Sequence, residues 1–139
     1  MSDEATLRRY MAQDRLAALL GIELLEVAPG QALARLRIDE RHRNGVGVIH
    51  GGTIFTLADV AFAAASNAHG TLALALDASI SFVKALSSGT LLARAREEAR
   101  TAKIGCYRIR VEEEGGELVA LFQGTVYRKQ DRLETLLRE

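Results

Sequence analysis

The chain has 139 residues and carries 18 acidic and 18 basic side chains. That length fits a single domain over residues 1–139, and the balanced charge gives no broad positive surface for nucleic acid or an anionic membrane. The single cysteine excludes an intrachain disulfide bond. The acidic start predicts no secretory signal and no segment predicts a membrane span, so we expect a cytoplasmic protein.

The first segment, residues 1–20, has the pattern of one helix that packs along one side. Ser2 or Asp3 can cap this helix, and Gly21 is a typical residue to end it. Its apolar positions are Leu7, Tyr10, Met11, Leu16, Leu19 and Leu20.

A β-hairpin follows. Residues 22–27 and 32–38 are short apolar runs on either side of Ala-Pro-Gly-Gln at residues 28–31, which is a strong turn signal. Arg35 and Arg37 would then share the solvent face of the second strand.

The loop 39–52 leads into a predicted helix of about five turns, residues 52–69, closed by Gly70. Apolar residues surround this helix almost completely, which is typical of a buried helix. One narrow polar stripe contains Thr56, Asp59, Ala63, Ser66 and Asn67. Asp59 is the only charged residue between Arg43 and Asp77, and a lone carboxylate is costly to bury without a purpose or a partner.

Four strands with two-residue periodicity are predicted after the helix, at about residues 72–82, 91–98, 107–112 and 118–127. Because no helix connects them, they cannot form a parallel sheet. The prediction is therefore an α+β fold in which a curved antiparallel sheet wraps around the central helix. The charged tail, residues 130–139, is expected to be a short or frayed helix.

The sequence resembles the hotdog-fold acyl-CoA thioesterases, and most closely their PaaI-like branch from phenylacetate degradation. The residues that carry this resemblance are Asn44, His50–Gly52, Leu57–Asp59, Ala65–Asn67 and Gly70, with Leu20–Ile22 near the start and Leu118–Thr125 near the end. The likeness extends over nearly the whole chain, and motif spacing and strand order agree.

The resemblance implies a role for each of three residues. In that family the first glycine of His-Gly-Gly donates its backbone N–H to the thioester oxygen, which here is Gly51. The helix carboxylate, here Asp59, activates water or attacks directly, and the upstream Asn44 helps to position the groups. Some relatives add a hydroxyl group where this chain has Ala63 or Ala75, so the group that orients the water stays open.

Thioester hydrolysis is also consistent with the chemical properties of these residues, apart from the family resemblance. Thioester hydrolysis develops negative charge on the carbonyl oxygen, and a backbone N–H at a helix N-terminus is suited to stabilise that charge. Gly51 and Gly52 permit close approach of a substrate to the backbone. A carboxylate near apolar walls has a raised pKa, which suits a general base, while direct attack to form an anhydride stays equally open.

Each candidate also has a structural interpretation. Asp59 could pair with a buried arginine or histidine. His50 is a candidate catalytic residue, although a hydrogen-bonding role before the helix is the favoured interpretation.

Binding roles are predicted for a further set of residues. Gly52, Lys84, Lys103 and Arg128 are the candidate substrate-binding residues, the three cations for coenzyme A phosphates, although such cations are usually solvated. Phe55, Phe62 and Phe82 are expected in the core, and no metal site is predicted.

The predicted function is hydrolysis of acyl-CoA thioesters, with arylacetyl or medium-chain acyl groups as candidates. No cofactor is expected, because coenzyme A is part of the substrate. Two alternatives are a hotdog hydratase or dehydratase, which would need a loop histidine and a helix acid, and an acyl-binding module without catalysis.

The spacing of Gly51 and Asp59 predicts an oligomer. Eight residues of helix rise about 12 Å, which is too far for both groups to reach one thioester. Two chains paired with antiparallel helices would place Gly51 of each chain opposite Asp59 of the other, as the resemblance also implies. We therefore expect a homodimer, or a dimer of dimers, with composite active sites.

Overall fold

The structure, a computed structural model, describes residues 3–138. Its helices are α1 (Asp3–Met11), α2 (Arg15–Leu20) and α3 (Gly51–Asn67). Its strands are β1 (Glu23–Ala28), β2 (Gln31–Arg37), β3 (Thr71–Phe82), β4 (Thr90–Arg100), β5 (Ile104–Glu113) and β6 (Leu118–Arg132). Two short 3₁₀ helices cover Glu40–His42 and Leu133–Leu136.

The six strands form one antiparallel sheet in the order β1-β2-β4-β5-β6-β3. Helix α3 packs against one face of this sheet and contacts β2, β4 and β5 most extensively. The predicted α+β architecture, a sheet around a central helix, is confirmed. The predicted hairpin is confirmed as well, with Gly30 in the left-handed conformation that its turn requires.

The core lies between α3 and the inner face of the sheet. Phe62 of α3 contacts Phe122 of β6, with ring centroids 5.5 Å apart, and Tyr107 of β5 at 5.7 Å. Gly124 lies directly against this group, because a Cβ atom added there would be 2.6 Å from Cζ of Phe62. The aromatic packing therefore requires glycine at residue 124, because any other residue would add a Cβ atom there.

Asn67 connects the end of α3 to the beginning of β3. Its side-chain amide donates to the carbonyl oxygen of Ala63, and its side-chain oxygen accepts from the N–H of Ala73, both at 2.9 Å. Asn67 is almost fully buried. Because it belongs to the predicted polar stripe, that end of the stripe fixes the fold and does not face a ligand.

The N-terminal prediction of one helix is wrong, because the structure has two. Asp14 begins the second helix, since its side chain accepts from the N–H of Ala17 at 3.0 Å and caps α2. Leu16 and Leu19, predicted to pack, are exposed. Gly21 ends α2 in the left-handed conformation, as predicted. The proposed cap at Ser2 lies outside the described residues.

The C-terminal prediction is wrong in part. Strand β6 does not stop near Tyr127 but continues to Arg132, because its last residues pair with the beginning of β3 between Thr71 and Ala73. Leu133 is then buried and its N–H donates to the carbonyl oxygen of Gly70. The tail is thus partly strand, and its only helix among the described residues is the short 3₁₀ helix.

Replacement of Gly124 by Ala should reduce the free energy of unfolding by about 1–3 kcal/mol, the usual effect of overpacking. Phe62 cannot move away, because it is buried between two other rings. Gly115→Ala is the control, since no atom lies within 4 Å of its added Cβ. Chemical denaturation of the two variants measures the difference, and equal stability would contradict this packing.

Candidate active site

The N-terminus of α3 presents one free backbone donor. His50 caps the helix, because its Nδ1 accepts from the N–H of Gly52 at 2.8 Å. The carbonyl oxygen of His50 also accepts from the N–H groups of Thr53 and Ile54. The N–H of Gly51 has no acceptor within residues 3–138. It lies at the positive end of the helix dipole and is available to an anionic oxygen.

The hydrogen bond from Gly52 determines which nitrogen of the His50 ring carries the proton. Since Nδ1 accepts, it has no proton, and a neutral ring carries its proton on Nε2. His50 therefore has a definite structural role as a cap. Its predicted catalytic role stays a prediction, and in this arrangement the ring could act only as a donor through Nε2.

A buried histidine holds the loop before the helix in place. His42 is fully buried, its Nδ1 accepts from the N–H of Asp39 at 2.9 Å, and its Nε2 donates to the carbonyl oxygen of Leu20 at 2.7 Å. Its own carbonyl oxygen accepts from the N–H of His50. Both side-chain hydrogen bonds of His42 are to backbone atoms, so no residue type in the sequence identifies its partners.

Asn44 organises the tight turn that precedes the helix. Its side-chain oxygen accepts from the N–H groups of Val46 and Val48, at 3.0 and 3.2 Å. The side-chain NH₂ group has no acceptor among the described residues. The predicted positioning role therefore has a structural counterpart in the loop, and the free NH₂ group can still donate to a ligand.

Asp59 lies in the middle of α3 and is partly buried. Its carboxylate has no hydrogen bond or ion pair within the described part of the chain, so the alternative of a buried arginine or histidine partner is not found there. Burial raises the pKa of Asp59, and the nearby Asp14 carboxylate raises it further. A carboxylate that is desolvated and unpaired has the properties of a base.

Asp14 is a feature of this site that the sequence did not reveal. It caps α2, which packs against α3, and its negative charge acts on Asp59. An aspartate before Arg15 and Leu16 is an ordinary helix-capping signal. The signal was hidden, because residues 1–20 have the propensity of one continuous helix.

Phe82 is the second feature that differs from expectation. Its ring tip lies against Gly51, where an added Cβ atom would be 3.1 Å from Cζ of Phe82. The side chain is 54% exposed and does not belong to the core, whereas Phe62 does. Phe82 lines a pocket of about 330 Å³ together with Ile49, Gly51, Ile54, Val83, Lys84 and Ala85.

The three predicted phosphate-binding cations do not lie together. Lys84 borders the pocket at Gly51 and is bonded to Glu113 at 2.7 Å and Glu117 at 2.6 Å. Lys103 and Arg128 meet at the other end of β5, where the N–H of Arg128 donates to the carbonyl oxygen of Lys103. Ten residues of strand separate the two ends, about 33 Å.

A larger groove, about 570 Å³, lies between β1, β2, β4 and β5. Arg94, Arg96, Arg108 and Arg110 line it, and no residue of α3 does. Three of these arginines pair with Glu98 or Glu112. The larger volume is therefore not near Gly51 or Asp59, and the smaller pocket is the candidate site.

Residues 46–120 match the family described as the thioesterase superfamily. The chain is 34% identical over 116 residues to the acyl-coenzyme A thioesterase PaaI of Escherichia coli, which covers 83% of each protein. The solved structure of E. coli PaaI, from the phenylacetic acid degradation operon, superposes with a TM-score of 0.86 at 29% identity, covering 94% of this chain and 99% of that one.

The chain belongs to the thioesterase superfamily. A mutant structure of the phenylacetic acid degradation protein PaaI from Thermus thermophilus is also similar, with 38% identity and a TM-score of 0.80, covering 84% of this chain and 100% of that one. The resemblance to PaaI-like hotdog thioesterases, the hotdog fold and the class of thioester hydrolase are thereby confirmed. No helix among residues 3–138 is long and apolar enough to cross a membrane.

Replacement of Asp59 by Asn should stabilise the protein at pH 7. Burial raises the pKa of Asp59 in the folded protein. As the pH rises above about 4, Asp59 therefore ionises first in the unfolded state. The free energy of unfolding of the wild-type protein falls until the pH exceeds the folded-state pKa of Asp59. The amide of the variant has no charge to desolvate, so its advantage should disappear below about pH 4. Thermal melts from pH 3 to 8 measure this difference.

The control for this experiment is Glu114→Gln, an exposed carboxylate in the turn after β5. It should show no comparable gain. A melting temperature of Asp59→Asn that falls below that of the wild type as the pH rises above about 4 would mean that the charge of Asp59 is stabilised in the folded protein.

Two substitutions of Asn44 separate its two possible roles. Asn44→Asp keeps the oxygen that accepts from Val46 and Val48, whereas Asn44→Ala removes it. Only the alanine variant should lose stability, by about 1–2 kcal/mol. Both should lose activity by a factor of about 10–10³, because both lack the NH₂ donor. Wild-type turnover in Asn44→Asp would show that Asn44 acts only through its loop.

Proposed function

We propose that the protein hydrolyses acyl-CoA thioesters to the free acid and coenzyme A. The observation that carries this proposal is the free N–H of Gly51 at the capped N-terminus of α3, on the same helix as the unpaired carboxylate of Asp59. One group can stabilise an oxyanion and the other can activate water. The name of the E. coli relative, an acyl-coenzyme A thioesterase, supports the same reaction.

The reaction begins when the thioester carbonyl oxygen accepts a hydrogen bond from the N–H of Gly51. Asp59 takes a proton from water while the water oxygen attacks the carbonyl carbon. The tetrahedral intermediate then expels the thiolate of coenzyme A, which takes up the proton. In the alternative path Asp59 attacks the carbon itself and the C–S bond breaks to release the thiolate of coenzyme A; water then hydrolyses the resulting anhydride to the free acid and restores Asp59. Both paths use the same two groups and no cofactor.

The site is proposed to form between two chains. Gly51 and Asp59 are eight residues apart in one unbroken helix, a rise of about 12 Å. A thioester needs both groups within about 3 Å of its reacting atoms. A second chain with an antiparallel α3 can supply the missing group. A homodimer, or a dimer of dimers, is thus required by the proposed chemistry.

Strand β3 supports this pairing. It is an edge strand of twelve residues, and its backbone has an unpaired side. Ala75 and Ala78 lie opposite Val126 and Gly124 of β6, so they point to the inner face of the sheet, yet both are exposed. Helix α3 of the same chain does not cover them. We propose that a second copy of the chain pairs with β3 and covers this face.

The proposed substrates are phenylacetyl-CoA and related aryl or medium-chain acyl-CoA thioesters. The walls of the pocket at Gly51 are mainly apolar, which suits such groups. The E. coli and T. thermophilus relatives are named for phenylacetic acid degradation, and a role in that pathway is part of the proposal. The cytoplasmic location stays a prediction.

The hydratase alternative is weaker in this geometry. It would need a loop histidine that accepts a proton next to a helix acid. Nδ1 of His50 is already occupied by the N–H of Gly52, and His42 is buried with both ring nitrogens bonded. Neither histidine is a free base near Asp59.

A pair of substitutions at Gly51 tests the proposed donor. Gly51→Ala adds a Cβ atom and keeps the N–H, whereas Gly51→Pro removes the N–H as well. Proline is favoured at the first position of a helix, and the extended conformation of His50 is compatible with a following proline. We expect proline to reduce kcat by a further factor of about 10²–10³ relative to alanine.

The assay follows release of free thiol from a panel of acyl-CoA thioesters. Asp59→Asn should reduce kcat by about 10²–10⁴ in the same assay. Equal turnover in the alanine and proline variants would remove Gly51 as the donor. Binding of acyl-CoA by the wild-type protein without any turnover would favour the non-catalytic module.

A further inference from the structure

The pocket beside Gly51 has apolar walls and a charged rim. The walls consist of Ile49, Ile54, Phe82 and Val83, and Lys84 is the only charged residue within residues 3–138 that lines the pocket. A pantetheine arm contains polar amide groups, whereas an acyl chain or an aromatic ring does not. The composition of the walls therefore fits the acyl side of a thioester.

Phe82 lines this pocket with its ring tip against Gly51, the proposed oxyanion donor. It is the last residue of β3 and lies opposite Ala120, a buried residue of β6. Its side chain therefore points to the inner face of the sheet, where the ring tip contacts Gly51. Because Gly51 and Phe82 line the same pocket, an acyl group bound through the N–H of Gly51 would lie beside this ring. An aromatic or aliphatic group would bury apolar surface against it.

The rim of the pocket carries one cation, Lys84, which is already paired. Its ammonium group is bonded to Glu113 at 2.7 Å and to Glu117 at 2.6 Å. Hydrogen bonds to both glutamates raise the pKa of Lys84, while Lys84 lowers the pKa of Glu117, so the charges of this pair persist at neutral pH. Lys84 is not free to bind a carboxylate on the acyl group.

We propose that Phe82 determines acyl specificity, selecting uncharged apolar acyl groups with a preference for aromatic ones, and that the Lys84–Glu113–Glu117 group excludes acyl groups with a second carboxylate. This assignment rests on the proposed thioesterase function and adds the residues that choose among its substrates. Phenylacetyl-CoA is then a good substrate and succinyl-CoA a poor one.

The test compares Phe82→Ala with Leu121→Ala. Leu121 of β6 is paired with Ser81, the residue before Phe82 in β3. Its side chain therefore lies on the outer face of the sheet, where it is exposed. The ratio of kcat/KM for phenylacetyl-CoA to that for acetyl-CoA should fall about 10- to 100-fold in Phe82→Ala and stay unchanged in Leu121→Ala. An unchanged ratio in Phe82→Ala would overturn the role of Phe82.

The rim is tested with the double variant Glu113→Gln and Glu117→Gln. Removal of both carboxylates leaves Lys84 free, and the kcat/KM ratio of succinyl-CoA to phenylacetyl-CoA should rise about 10-fold. Efficient hydrolysis of succinyl-CoA by the wild-type protein would overturn the proposed exclusion.

Binding measurements keep this proposal separate from the proposed reaction. The dissociation constants of phenylacetyl-CoA and acetyl-CoA are measured by calorimetry for Asp59→Asn, with and without Phe82→Ala. Tighter binding of phenylacetyl-CoA that disappears with Phe82 supports the specificity role even if the wild-type protein hydrolyses neither compound. If the wild-type protein hydrolyses both compounds but Phe82→Ala changes neither their relative binding nor their relative turnover, the specificity role of Phe82 is overturned. The proposed thioesterase function is then unaffected.

Discussion

Helix α3 is apolar on nearly every side, and most of its residues are buried within this one chain. An apolar helix of this kind is stable only if other elements cover it, because exposure of its side chains to water costs free energy. Strands β2, β4 and β5 provide most of that cover, and α1 and α2 contact the helix as well. Strand β3 lies at the edge and is left open on its inner face at Ala75 and Ala78.

The same burial explains where the chemistry can occur. Two polar groups of α3 that remain available are its first N–H, at Gly51, and the carboxylate of Asp59, whereas His50 occupies the N–H of Gly52 and Asn67 is used in the fold. The helix dipole makes the first of these groups electropositive, and burial makes the second a stronger base. A helix that organises the core thus also presents the two groups that thioester hydrolysis needs.

The sequence predicted the elements that depend on local pattern. Two-residue periodicity identified the strands, and continuous apolar character identified α3. It did not predict the break at Asp14, because this local cap lies within a segment of continuous helix propensity. It also did not predict features decided by distant contacts, such as the extension of β6 by pairing with β3. The position of Phe82 at Gly51 and the pairing of Lys84 with two glutamates follow from strand register, which no single segment encodes.

The central claim is that Gly51 of one chain and Asp59 of another form one site, and co-expression of two inactive variants tests it most directly. In a mixed dimer of Gly51→Pro and Asp59→Asn chains, one composite site carries both defects and the other carries neither. Random pairing should therefore restore about a quarter of wild-type activity. Mixed dimers that form, as shown by native mass spectrometry, but recover no activity would mean that each chain contains a complete site.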